Sequence, residues 1–102
     1  METPSTKYFE YISGYSVPAI PKSPISEADA RQRRAYYEVA FDESGRVMQI
    51  TKMLDARLSF RYEYDYDATG RVSAARMTGP DGNTKEIPLP HTKRQIVHPR
   101  AQ

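Results

Sequence analysis

Between Arg57 and Tyr66 the chain runs Arg-Leu-Ser-Phe-Arg-Tyr-Glu-Tyr-Asp-Tyr, a strict two-residue alternation. Leu58, Phe60, Tyr62, Tyr64 and Tyr66 fall on one side, and Arg57, Ser59, Arg61, Glu63 and Asp65 on the other. Successive side chains of a strand point to opposite faces, so the segment reads as a β-strand with one aromatic and one charged face. A helix would scatter the same residues around its axis.

The flanks of this strand carry hairpin chemistry. Phe41-Asp-Glu-Ser-Gly-Arg-Val47 is matched by Tyr66-Asp-Ala-Thr-Gly-Arg-Val72, with Asp, Gly, Arg and Val recurring in place. In each, an aromatic closes a strand and Asp opens a turn by bonding forward to backbone N–H groups. The glycine takes a positive φ and Arg-Val starts the return strand. Asp55-Ala56 is short enough for a tight hairpin without the favoured glycine, and Gly79-Pro-Asp-Gly-Asn83 is a further turn signal. These marks predict five strands, over 35–42, 46–54, 57–66, 71–78 and 83–87. Joined in order by hairpins, they give a mainly β (α+β) fold, a single antiparallel meander. Tyr37, Val39 and Phe41 share a side, as do Met48, Ile50 and Leu54, although Lys52 falls among the latter. The fourth strand, with small Ala74 and Ala75, shows no dominant face.

Residues 1–34 are expected to pack on the sheet as an extended segment and one short helix. Tyr8, Phe9, Tyr11, Ile12 and Tyr15 suit an added strand or a cover for the aromatic face. Pro18, Pro21 and Pro24 exclude a helix there. Ser26 is a good N-cap, with Glu27 and Asp29 in the first turn where negative charge suits the dipole, and the helix is expected to reach about Arg34. Residues 35–87 form the meander. Residues 88–102 read as a basic flexible tail.

A chain of 102 residues is one small domain, and with 38% apolar residues much of its burial falls to 8 tyrosines. There is no cysteine, so disulfides and thiolate metal sites are excluded. The first residues lack the basic start and apolar run of a signal peptide, and no apolar stretch approaches membrane-helix length. A cytoplasmic protein with no membrane contact is the expectation. The net charge of +2 is uneven: residues 35–87 carry 7 basic and 9 acidic side chains, while Lys93, Arg94 and Arg100 place +3 in the tail. A slightly acidic folded middle counts against a phosphate-binding footprint.

The paired motifs Phe41-Asp-Glu-Ser-Gly-Arg-Val47 and Tyr66-Asp-Ala-Thr-Gly-Arg-Val72, with Pro80-Asp-Gly82, resemble the YD-type hairpin repeat of RHS proteins. They also resemble the MORN-variant hairpin associated with toxin–antitoxin systems. The whole chain, from Lys7-Tyr-Phe through Arg34-Ala-Tyr-Tyr-Glu-Val, resembles a small uncharacterised proteobacterial family. RHS shells contain dozens of such repeats and this chain about two, so the resemblance implies no delivery shell. It implies a short interaction sheet, with toxin neutralisation among the associated settings.

Catalysis finds little in the sequence. The only histidines, His91 and His98, lie in the tail, and no Gly-x-Ser-x-Gly elbow is present. Asp65-x-Asp67 lacks the further oxygen ligands of a calcium loop, so no metal or cofactor is expected. A non-enzymatic protein-binding role fits best, since tyrosine and arginine are favoured interface anchors. The expectation is an immunity or antitoxin protein that occludes the active site of a cognate toxin. The contacts expected are Arg57, Arg61, Glu63, Asp65, Asp67, Asp42 and Glu43, the carboxylates steering it to the basic cleft of a nuclease toxin. The alternatives are a single-stranded nucleic-acid binder, with Phe60, Tyr62 and Tyr64 as stacking rings, or an accessory subunit of an enzyme complex. Against stacking, Arg57 and Arg61 alternate with the rings and are expected on the opposite face.

Overall fold

A computed structural model describes residues 5–13 and 17–89. They form one antiparallel sheet of seven strands: β1 (Ser5–Ser13), β2 (Ile20–Ile25), β3 (Ala35–Phe41), β4 (Val47–Leu54), β5 (Arg57–Tyr66), β6 (Val72–Thr78) and β7 (Thr84–Glu86). The spatial order is β2-β1-β3-β4-β5-β6-β7. The five expected strands are therefore present as the meander β3 to β7. The two additional strands come from the leader, which extends the sheet sideways while its Val17–Ala19 stretch lies over the core. The reason is visible in β1, where Thr6, Tyr8 and Glu10 alternate with Lys7, Phe9 and Tyr11, so the backbone hydrogen bonds along β3 rather than across it. Pro21 and Pro24 have no N–H to donate to a ladder, and β2 is accordingly an edge strand. At the other edge β7 has only three residues, one of the ways proteins limit edge-to-edge pairing.

The hairpins follow the chemistry of their residues. In the β3–β4 and β5–β6 turns the Asp42 N–H donates to the Arg46 carbonyl and the Asp67 N–H to the Arg71 carbonyl, at 2.9 and 2.8 Å. Gly45 and Gly70 take φ of +84° and +90°, a conformation other residues rarely adopt. At the glycine-free β4–β5 turn Asp55 and Ala56 have φ of +52° and +63°, the pair of left-handed residues that a two-residue hairpin of matching twist requires.

Helix α1 (Glu27–Arg31) is shorter than the expected run to Arg34, because Gln32 closes it after barely more than one turn. The Ser26 hydroxyl caps it by accepting from the Asp29 N–H at 3.0 Å. It sits against β1, and Arg33 just beyond it pairs with Glu10 at 2.6 Å.

Directly opposed residues of an antiparallel pair share a face. One rung reads Lys7, Val39, Ile50, Tyr62, Met77, Lys85, and its neighbour reads Tyr8, Glu38, Thr51, Arg61, Thr78, Thr84. The first belongs to an aromatic face and the second to a polar face. The core lies on the aromatic face, where Phe9, Val39, Ile50, Tyr64, Val72 and Ala75 are buried. Two short segments cover it: one brings in Val17 and Ala19, the other Ile87 and Leu89. The Ala19 N–H donates to the Tyr64 hydroxyl at 3.2 Å, in a buried bond that pins the first segment down. β6 is better defined than its small residues suggest, since Val72 and Ala75 are buried there.

A bulge corrects the alternation of β5. The register shifts between Lys52 and Met53, so Lys52 faces Phe60 but Met53 faces Leu58 and Leu54 faces Arg57. The extra residue reverses the parity beyond it. By register, Leu58 leaves the aromatic face for the polar one, and Arg57 joins the rings. A second shift at the start of β4 sets Val47, rather than Met48, opposite Phe41.

Candidate interaction surface

Tyr37, Lys52 and Phe60 stand side by side on one rung of the aromatic face, and Ala35, Leu54 and Arg57 form the next. Tyr62 follows Phe60 along β5. The rings make a continuous row: centroids lie 6.3 Å apart for Tyr37–Phe60, 5.0 Å for Phe60–Tyr62 and 6.3 Å for Tyr62–Tyr64. Tyr64 is buried at one end of the row, whereas Phe60, Tyr62 and Tyr37 are half-buried. The Lys52 ammonium lies over the Tyr37 ring, 5.4 Å from its centroid, in cation–π geometry.

This end of the face also holds an exposed apolar side chain, Leu54, which is 40% exposed and opposite Ala35. On the adjoining β1–β2 hairpin Tyr11 and Ile20 are 60% and 50% exposed, while Ile12 packs against the core. A large apolar side chain left in water is a poor choice for stability alone, and several of them near one another mark an interaction surface. The β4–β5 hairpin borders a shallow groove lined by Leu54, Asp55, Arg57, Leu58, Ser59 and Pro80. Arg34 and Asp55 hold that hairpin through a 2.7 Å ion pair and a bond from the Asp55 N–H to the Arg34 carbonyl.

The residues expected to bind a partner are not brought together. Asp42 accepts from the N–H groups of Ser44 and Arg46 and from the Arg46 guanidinium. The Arg46 N–H bond foremost holds its carboxyl below the ordinary carboxylate range. Asp67 accepts from the Thr69 hydroxyl and from the Thr69 and Arg71 N–H groups, with the same downward effect led by the Thr69 hydroxyl. Both serve their turns, and Glu43 is exposed within the first. Arg61, Glu63 and Asp65 do lie together on the polar face. There Arg61 donates to Thr51 at 3.2 Å, and Arg76 grips Asp65 at 3.0 Å with Glu63 at 3.9 Å. The Arg76 hydrogen bond lowers the Asp65 carboxyl. Arg57 is on the other face.

The proposed stacking rings divide similarly. Phe60 and Tyr62 reach the half-open surface, but Tyr64 is core: burial raises its hydroxyl pKa, opposed by the Ala19 N–H bond. Sequence reasoning assigned Tyr37 and Leu54 only strand positions and Tyr11 only a place in the leader, and it passed over Arg76. It noted Lys52 as out of place among apolar neighbours, and that anomaly was the signal of a cationic aromatic face. His91 and His98 lie outside the described residues, as does the tail from residue 90 onward. Among the described residues no group of three or more His, Cys, Asp or Glu side chains is arranged to hold a metal ion. No helix among them is long and apolar enough to cross a membrane.

A family's sequence profile matches residues 1–97, nearly the whole chain. The chain belongs to DUF6156, a family of unknown function. No curated protein and no solved structure matches it.

Proposed function

We propose that this DUF6156 member is a non-enzymatic binding protein that works by covering part of a protein partner. Its docking surface in this reading is the open end of the aromatic face, around Tyr37, Leu54, Arg57 and Phe60. The observation that carries it is exposed Leu54 beside the half-buried rings of Tyr37 and Phe60, with Tyr11 and Ile20 exposed on the adjoining β1–β2 hairpin. Rings and an arginine beside them are the side chains most often found as binding anchors. A rigid seven-stranded sheet also loses little conformational freedom when a partner seats on it.

The biological setting we propose is neutralisation of a toxin by occlusion in the cytoplasm. It rests on the likeness of the Asp42–Arg46 and Asp67–Arg71 turns to YD-type and MORN-variant hairpins. The relevant experiment is co-expression with the product of the adjacent gene, followed by isolation of the complex. Rescue of growth and a complex weakened by Leu54→Ala or Phe60→Ala, with the fold retained, support the reading. A chain that neither rescues nor binds, or a complex indifferent to both changes, overturns it.

A further inference from the structure

The two faces of the sheet are sorted by charge. Of the four lysines that lie in described strands, Lys7, Lys52 and Lys85 fall on the aromatic face, where Lys7 faces Val39, Lys52 faces Phe60 and Lys85 faces Met77. Arg57, set opposite Leu54 by the bulge, adds a fourth cation. All the strand carboxylates, Glu10, Glu38, Glu63, Asp65 and Glu86, fall on the polar face. No strand position on the aromatic face carries an acid. A slightly acidic middle segment therefore conceals a basic face, because opposite charges are separated across the thickness of one sheet.

We infer that the occupant of the aromatic face is an acidic protein surface, carboxylates set around apolar side chains; this rests on the binding role proposed above. Charge complementarity supplies the first half of the argument. Seating carboxylates between Lys52 and Arg57 gains attraction, whereas a basic partner meets like charge with no acid at the described strand positions of that face to relieve it. The second half distinguishes protein from nucleic acid. Base stacking needs open ring faces, and here one face of Tyr37 is taken by Lys52 while Phe60 and Tyr62 pack on each other at 5.0 Å with a 44° tilt. Exposed Leu54 matches apolar side chains, not phosphates or bases. A nuclease with a basic cleft does not suit this face.

Two labelled twelve-residue peptides test the inference by fluorescence anisotropy: one of Asp, Glu, Leu and Phe, the other its Asn and Gln counterpart. A fifteen-nucleotide oligo(dT) serves as the competing polyanion. The acidic peptide is expected to bind at least about tenfold more tightly than the amide peptide at 50 mM salt, and to weaken several-fold at 300 mM as screening grows. The variant Lys52→Glu/Arg57→Glu should weaken it about tenfold or more, while Glu38→Gln/Glu86→Gln on the other face changes it less than about twofold. Arg57→Glu alone, at the exposed start of β5, gives the same direction should the double variant fail to fold. Absent or equal binding of the acidic peptide, equal sensitivity of both faces, or tight binding of oligo(dT) alone overturns the inference. A partner isolated with the adjacent gene product but indifferent to these charge changes sinks the acidic partner and spares the binding role. Absence of any partner sinks both.

Discussion

The buried bond from the Ala19 N–H to the Tyr64 hydroxyl ties the covering segment to the middle of the sheet. Tyr64→Phe keeps the ring and removes only the acceptor. Ala19 is 2% exposed and Tyr64 5%, so water has no ready access to replace it. An unpartnered buried N–H costs about 1–3 kcal/mol. Taking about 2 kcal/mol, a chain of this size should lose roughly 8–16 °C in Tm. Urea unfolding followed by far-UV circular dichroism should show the midpoint falling by about 1 M with the slope unchanged. Tyr62→Phe is the matched control, since no bond is made by that hydroxyl among the described residues, and it should shift stability by less than about 0.5 kcal/mol. The pH dependence supplies a second readout. Burial raises the Tyr64 pKa above the ordinary 10.0. The protonated form thus favours the folded state, and this contribution is complete below pH 10.0 and lost as pH rises through the folded value. Tyr64→Phe should remove that share of the alkaline loss. If Tyr64→Phe unfolds at the same urea concentration as the wild type or as Tyr62→Phe, the bond does not hold the cover and the reasoning is wrong.

Other substitutions probe the rest of the framework. Ile50→Ala empties a fully buried position at the centre of the sheet and should cost about 2–5 kcal/mol by urea unfolding, without loss of strand signal in water if the sheet survives. Ala56→Gly relieves a left-handed residue at φ +63° and should raise stability by about 0.5–1 kcal/mol, measured as a higher Tm. Gly70→Ala should lower stability by about 1–2 kcal/mol through its φ of +90°, since the nearest atom to an added Cβ, on Arg46, is 3.9 Å away and leaves room. Acid should weaken the fold through the turns. The Asp42, Asp65, Asp67 and Asp81 carboxyls all lie below the ordinary value of 3.8. Their contribution is complete above that value and disappears as pH falls through the lower folded ones. A urea midpoint independent of pH across that range would contradict the assignment, and Asp67→Asn should flatten the dependence.

How far a sequence can be read here depends on how local each feature is. The Arg57–Tyr66 strand and the Asp-x-x-Gly turns were legible because backbone alternation and positive φ are settled within a few residues. The Asp55–Ala56 hairpin was legible from length alone, despite its missing glycine. The candidate surface was only half legible. Phe60 and Tyr62 were named together with Tyr64, which is buried, and Lys52 registered only as an exception to an apolar pattern. Arg57 was assigned to the wrong face because parity counted along one strand cannot detect the bulge opposite Met53.

By itself, the sequence determined that this chain makes a meander with one aromatic face, since side-chain alternation is a property of each strand alone. Tertiary structure decided that the leader joins the sheet edge, that Val17–Ala19 and Ile87–Leu89 cover only part of the rings, and that Lys7, Lys52 and Lys85 lie on the face opposite the strand carboxylates. Those outcomes depend on which strands become neighbours and on where a bulge resets their register, and neither is written within any one segment.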